Sequence, residues 1–377
     1  MSTKHIYRVA VVVLSILTSL LIAEATLRVI GKPQPALSGW RALKASTSEN
    51  NQLGFRGQRI EYAKDDFVIV LLGDSQVEAV ACAYERMPER RLAAYLNSAG
   101  RRVRVFSVAA SGYGQDQQLL ALREYFEKFR ADLVVHWQTP KNDIWNNIFP
   151  TNLAVNGTPK PTFWLESGQL RGPSEGIGQP ISETPPLKLQ LLWRRLSHWS
   201  RDRHWEKLYP PAYRPLTEVN EPVKTDWQQH LDRNLGIEEL DSEKTHWSIS
   251  LTPRSERMLY GLDLTRQLLQ QIERLTRSNG GQFTIFTAYN VPFEESSIEE
   301  GVHVLNGKYY RTSKAQYYAN LSYLNSGFNF HHIPVTLEPW RVGPDNGHLN
   351  EHATDQVMKD LAGRIEALIP VAKKLKT

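Results

Sequence analysis

Four short stretches carry residues whose types and spacing suit acyl transfer. Ser75 follows the apolar run Phe67 to Leu72 through Gly73 and Asp74, so its hydroxyl should stand at a strand end near the start of a helix, where a nucleophile belongs. A serine hydroxyl is a poor nucleophile at neutral pH and needs a base. The stretch Asp345-Asn346-Gly347-His348 offers one, with a carboxylate three residues ahead of an imidazole, close enough for Asp345 to fold back and orient the ring. Attack by serine also creates an oxyanion that wants hydrogen-bond donors, and Ser111-Gly112 and Asn142-Asp143 each follow a further strand. Each part has a plainer structural reading: a turn at Gly73-Asp74, a positive φ at Gly112, a helix cap at Asn142-Asp143, a surface histidine at 348. What joins them is their order, since nucleophile, two donor loops and base fall at successive strand ends of one pattern.

That pattern is α/β. The run Phe67 to Leu72 reads as a strand buried on both faces; Val103 to Val108 and Leu133 to Trp137 are further strands, with helical spacing over Glu85 to Ala99 and Gln115 to Phe129 between them. Strands alternating with helices imply a doubly wound parallel sheet. The alternation stops over 151–250, a Pro-, Gly- and Trp-rich insertion or cap with one helix-like stretch at Leu187 to Trp199. It resumes with an amphipathic run from Arg254 to Arg277, a strand at Phe283 to Phe286, a strand-like Ile333 to Leu337 and a helix from Glu351 to Ile369. The domain is therefore expected over 61–150 and 251–377.

The first 30 residues look like an export signal or an anchor: Lys4 and Arg8 precede the apolar run Val9 to Ala23, and Glu24 and Arg28 close it. Two outcomes follow from this segment, a retained helix in the inner membrane or cleavage near Ala23-Glu24-Ala25 with secretion of the rest; both put the catalytic domain in the periplasm or outside. Residues 31–60, with Pro33, Pro35 and many small polar residues, read as a tether. In the 377 residues, 45 Lys and Arg against 40 Asp and Glu give a net +5, spread along the chain rather than gathered, so nothing points to nucleic acid. The single cysteine, Cys82, rules out an internal disulfide and a cysteine zinc cage.

Taken together these blocks resemble the SGNH (GDSL-type) hydrolases. The likeness runs through Leu72-Gly73-Asp74-Ser75, Ser107 to Gly114 with its Ser111-Gly112-Tyr113, Lys141-Asn142-Asp143-Ile144 and Asp345-Asn346-Gly347-His348-Leu349-Asn350, over roughly 60–150 and 251–370. The segment Asn51 to Gly57 and the helix ending Glu24-x-x-x-Arg28 are similar to those of membrane-anchored bacterial members. The resemblance implies a flavodoxin-like doubly wound sheet, with Ser75 as nucleophile, Asp345 and His348 completing a triad, and an oxyanion hole from the Ser75 N–H, Gly112 and Asn142. It implies no cofactor. Ser107 and Ala109 in the second block, and Pro140 in the third, replace residues usual to the family, Asn and Gly in the second and Gly in the third.

Members act on esters of small acyl groups, and anchored ones are similar to enzymes that add or remove acetyl groups on extracellular polysaccharide. An O-acylated carbohydrate is thus the expected partner, alongside a possible membrane acyltransferase. An idle carbohydrate-binding or scaffold subunit is the alternative. Six of ten tryptophans lie between Trp164 and Trp247, among them Trp164 and Trp193, which could form sugar platforms or merely dock the insertion on the sheet. Other motifs carry less. His348 and His352 lack the glutamate of zinc-protease helices, so no metal site is expected, and Gly112-Tyr-Gly114 lacks the lysine of a phosphate loop.

Overall fold

The computed structural model describes residues 3–30, 49–99, 101–148, 151–152, 158–173, 189, 248–288, 300–305, 308–335, 338–343 and 346–370. The expected stretch Leu187 to Trp199, apart from Leu189, lies outside the described residues, as do Trp193 and Asp345. Five strands form one parallel sheet: β1 (Phe67–Gly73), β2 (Val103–Ala109), β3 (Leu133–Trp137), β4 (Gln282–Thr287) and β5 (Phe330–His332). Their order is β5-β4-β3-β1-β2. This is the flavodoxin-like order, in which the chain leaves β1 for one edge and then returns past it to β3. The order reverses between β1 and β3, and the carboxyl ends of this pair form the switch point where ligands settle in such sheets.

Eight helices accompany the sheet among the described residues: α1 (Thr3–Ile30), α2 (Ser75–Glu78), α3 (Pro88–Ser98), α4 (Gln115–Phe126), α5 (Pro140–Ile148), α6 (Glu256–Ser278), α7 (Lys314–Asn325) and α8 (Glu351–Ile365). Side chains alternate across β1. Ile69 and Leu71 join Leu92 and Leu96 of α3 and Val357 and Leu361 of α8 on one face, while Val68, Val70 and Leu72 join Leu119 and Leu122 of α4 and Leu268 and Ile272 of α6 on the other. Burial on both faces explains why the strand reads as an unbroken apolar run.

Several boundaries differ from expectation, each for a physical reason. The helix expected over Glu85 to Ala99 begins at Pro88, a residue suited to the first helical position, and Tyr84–Arg86 forms a separate 3-10 turn. The strand expected at Ile333 to Leu337 lies earlier, at Phe330–His332; Pro334 has no N–H to extend the ladder. An antiparallel hairpin (Glu300–Leu305 with Lys308–Ser313) and α7 occupy a stretch that reads as irregular.

The tether also ends sooner than residue 60. Leu53, Phe55 and Ile60 are buried in the core, because an apolar triplet at this spacing is worth more packed than solvated. Asn51 donates to Ser107 O (2.9 Å), and its Oδ1 accepts from the N–H groups of Leu53 and Phe55. Arg56 donates to the carbonyls of Glu78 (3.1 Å), Ala79 and Cys82 (2.9 Å), and pairs with Glu49 (2.9 Å).

Within the 151–250 insertion, the described part is anchored by a wholly buried ion pair between Lys160 and Asp116 at the start of α4, with Lys160 also donating to Asn146 O. A hairpin, Trp164–Glu166 with Gln169–Arg171, follows it and rests on α6, where Leu165 N donates to the Tyr260 hydroxyl (3.1 Å).

Candidate active site

The chain leaves β1 through Gly73. A Cβ there would come within 2.5 Å of Val77 Cγ2 and 3.2 Å of Trp137 O, so only glycine lets α2 turn so closely against the end of β3. Asp74 caps α2 and is fully buried. Its Oδ1 accepts from Gln76 N (2.9 Å) and the Thr139 hydroxyl (3.2 Å), and its Oδ2 accepts from Asn142 Nδ2 (3.0 Å). One carboxylate thereby ties the end of β1 to the β3–α5 turn. Burial pushes the Asp74 carboxyl above its ordinary range, opposed by the Gln76 N–H, the Asn142 amide, the His348 charge and Thr139.

Ser75 is half-buried at the first position of α2. The first backbone bonds of this helix run from Val77 N (3.2 Å) and Glu78 N (3.0 Å) to Asp74 O, which leaves the Ser75 N–H outside the helical ladder as a donor. Glu78, one turn on, accepts from both the N–H (2.8 Å) and the hydroxyl of Ser111 and so draws the loop after β2 against α2. In that loop Gly112 has φ +75°, a left-handed conformation that favours glycine. Ala79 ends α2 at φ +45°, a conformation costing a non-glycine residue ~1–2 kcal/mol, and its carbonyl is one of those Arg56 holds.

Asn142 lies in the first turn of α5. Its amide gives one hydrogen to Asp74 and keeps a second for another acceptor. Asp143 beside it accepts from Thr139 N (2.8 Å); burial, then the nearby Asp74 charge, raise its pKa well above the ordinary value.

His348 lies on the short strand Asn346–Leu349, paired antiparallel with Arg341–Gly343. Its Nδ1 meets Asn346 Oδ1 at 2.5 Å, and its N–H donates to the same oxygen (3.1 Å). An amide oxygen can only accept, so the neutral ring carries its proton on Nδ1 and presents the Nε2 lone pair. Leu349 N donates to Gln76 Oε1 (3.3 Å). Both neighbours of Ser75 in sequence thus engage the histidine strand, Asp74 through its field and Gln76 through a hydrogen bond. No hydrogen bond joins Ser75 Oγ to His348 among the described residues.

Ser75, Gly112, Asn142 and His348 accordingly sit on four segments bound to one another through Asp74, Gln76 and Glu78. These three linkers, with Thr139 and Asn346, are what sequence reasoning missed. Asn346 lies inside the His348 block, but a two-residue hydrogen bond to the ring depends on backbone torsions. Trp164, by contrast, stands 37% exposed on the hairpin over α6, and none of the described hydrogen bonds or ring contacts links it to the four. No group of three His, Cys, Asp or Glu is placed to hold a metal among the described residues.

No protein-family model and no curated protein matches the chain. Solved structures it is similar to include TesA, at 10% identity and TM-score 0.39 over 80% of this chain and 99% of that one. Another is the psychrotrophic esterase EstA from Pseudoalteromonas sp., at 8% and 0.37 over 80% and 98%. A third is the acetyl xylan esterase Est2A from the rumen bacterium Butyrivibrio proteoclasticus, at 9% and 0.36 over 82% of this chain and 66% of that one. These are distant likenesses, and the reading of the site rests on its own geometry.

Proposed function

We propose that the chain is a serine ester hydrolase or acyltransferase of the SGNH type, working on O-acyl groups of a carbohydrate outside the cytoplasm. The observation that carries this reading is the convergence of Ser75's two neighbours, Asp74 and Gln76, on the Asn142 turn and the His348 strand. In the reaction His348 Nε2 accepts the Ser75 proton as Oγ attacks the acyl carbonyl. The oxyanion is held by the Ser75 and Gly112 N–H groups and the second Asn142 amide hydrogen. Collapse expels the alcohol, which takes its proton from His348, and leaves an acyl-serine. Water or a second sugar hydroxyl, deprotonated by His348, then releases the acyl group. Asn346 orients the ring through Nδ1 in this scheme; Asp345 is the further candidate for that task. No cofactor enters.

Tyr7–Val29 is long and apolar enough to cross a membrane, with mean hydropathy 2.2, and is almost wholly unburied by the rest of the chain. That fits a membrane anchor or an export signal, with Lys4 and Arg8 on the cytoplasmic side.

The test uses the full chain in detergent micelles with a fluorophosphonate probe and acetylated glycans. Wild type should be labelled and release acetate, and Ser75→Ala should do neither, with a loss on the order of 10³-fold or more. Equal hydrolysis by both proteins would remove Ser75 as nucleophile, and glycan binding without labelling would favour a binding subunit.

A further inference from the structure

Beside the candidate site lies an open cavity of ≈340 Å³, lined by Glu85, Arg86, Arg90, Arg91, His352 and Asp355. Its size is at the small end of the range for ligand pockets. It is also close: His352 follows His348 by four residues, so their Cα atoms can be no more than ~14 Å apart. Glu351, next to His352, accepts from Ala83 N (2.8 Å), which fixes this wall to the loop that follows α2.

The charges around the cavity are not all matched. Arg86 pairs with Glu351 (3.0 Å), and Arg91 pairs with Asp355, whose Oδ1 also accepts from the Tyr95 hydroxyl (2.7 Å). Arg90 differs. Its guanidinium lies 4.2 Å over the Tyr84 ring, and its Nε is buried without an acceptor among the described residues. The acid beside it in sequence, Glu89, is buried and spends its oxygens on the N–H groups of Gln58 (2.5 Å) and Ser107 (2.7 Å); it feels the Arg90 charge but makes no hydrogen bond to it. A guanidinium stacked by one face on an aromatic ring keeps its N–H edge for a planar anion. Only Nε is buried; the terminal N–H groups carry no hydrogen bond among the described residues and are the edge that an anion entering the cavity would meet. Glu85, exposed on the rim, is the opposing charge and would disfavour a dense polyanion.

We infer that this cavity is an anion subsite for the acylated polymer, in which Arg90 receives a carboxylate or phosphate group carried near the ester. The inference rests on the hydrolase reading only for the identity of the polymer; binding is measured without turnover.

The experiment is equilibrium binding to the full chain in detergent, using an oligogalacturonate as the carboxylate probe, a glycerol phosphate oligomer as the phosphate probe and a neutral xylo-oligosaccharide as reference. One anionic probe should bind more tightly than the neutral one and weaken with added salt. Arg90→Gln should weaken it about tenfold or more, Arg90→Lys should restore part of the loss, and Glu85→Gln should tighten it. Which probe responds to Arg90 identifies the source of the anion. Indifference of both probes to Arg90→Gln, with the thermal unfolding midpoint unchanged, would overturn the inference, as would equal binding of neutral and anionic probes. Loss of fluorophosphonate labelling at Ser75 is a separate readout, so the two readings fail separately.

Discussion

Asp74 holds three donors, one from α2 and two from the β3–α5 turn, and has no access to water, so its loss cannot be compensated by solvent. Asp74→Ala strands the Asn142 amide, the Thr139 hydroxyl and the Gln76 N–H; at ~1–3 kcal/mol for each buried group left unpaired, the variant should lose about 3 kcal/mol or more in urea unfolding. In the proposed reaction Asn346 acts on chemistry rather than stability. With alanine there, nothing described holds Nδ1, and kcat for ester hydrolysis should fall about tenfold with KM little changed, the worth of one orienting hydrogen bond of ~1.4 kcal/mol. At this scale Ser75, Asn142 and His348 stand out in the sequence only through their order at successive strand ends, since each alone suits a turn, a cap or a surface loop as well. Asp74, Gln76 and Glu78 were not legible there. Their polar side chains suit a turn or a short helix equally well in solvent, and only the return of distant segments gives them partners.

Among elements, the join between β1 and α2 depends on Gly73. Gly73→Ala forces a Cβ against Val77, and because Trp137 O closes the other side, relief must come from moving α2. The variant should be destabilised by ~1–3 kcal/mol, with part of it regained in Gly73→Ala/Val77→Ala when the two are compared by denaturant titration. The insertion is held by a different kind of joint. Lys160→Met leaves Asp116 buried without its counter-charge and should cost ~3–5 kcal/mol, whereas Lys160→Met/Asp116→Leu should recover much of that in the same titration. The core strands could be read because β1 is a continuous apolar run and β3 is apolar but for His136. Helix α7 could not: its apolar residues do not gather on one stripe, and its Asn320 is buried by donating to Ile249 O (2.6 Å), a partner far off in sequence.

For the whole molecule, two buried groups give stability a pH dependence of opposite sign. Burial lifts Glu89 from 4.5 to about 7, against the pull of the Gln58 and Ser107 N–H groups. From pH 7 down to 4.5 the folded state therefore takes up a proton that the unfolded chain does not, and Glu89 favours folding as pH falls. Burial depresses His136 from 6.5 to about 3, so from pH 6.5 down to 3 the unfolded chain takes up the proton and folding is disfavoured. The two cancel between pH 4.5 and 6.5. Glu89→Gln removes one side of that balance, and relative to wild type its unfolding free energy should fall by ~1.4 kcal/mol per pH unit between 6.5 and 4.5; unfolding curves of both proteins at pH 5 and 6 check it. The domain boundary is the remaining mismatch with the sequence, because small polar residues before 60 hide three apolar ones that pack. The grip of Arg56 on three carbonyls at and just beyond the end of α2, with Asn51 bound to β2, has a practical side. A shortened, water-soluble form started at residue 61 would arrive with the loop that supports Ser75 unbuckled, and any truncation meant to keep the proposed activity has to begin upstream of Glu49.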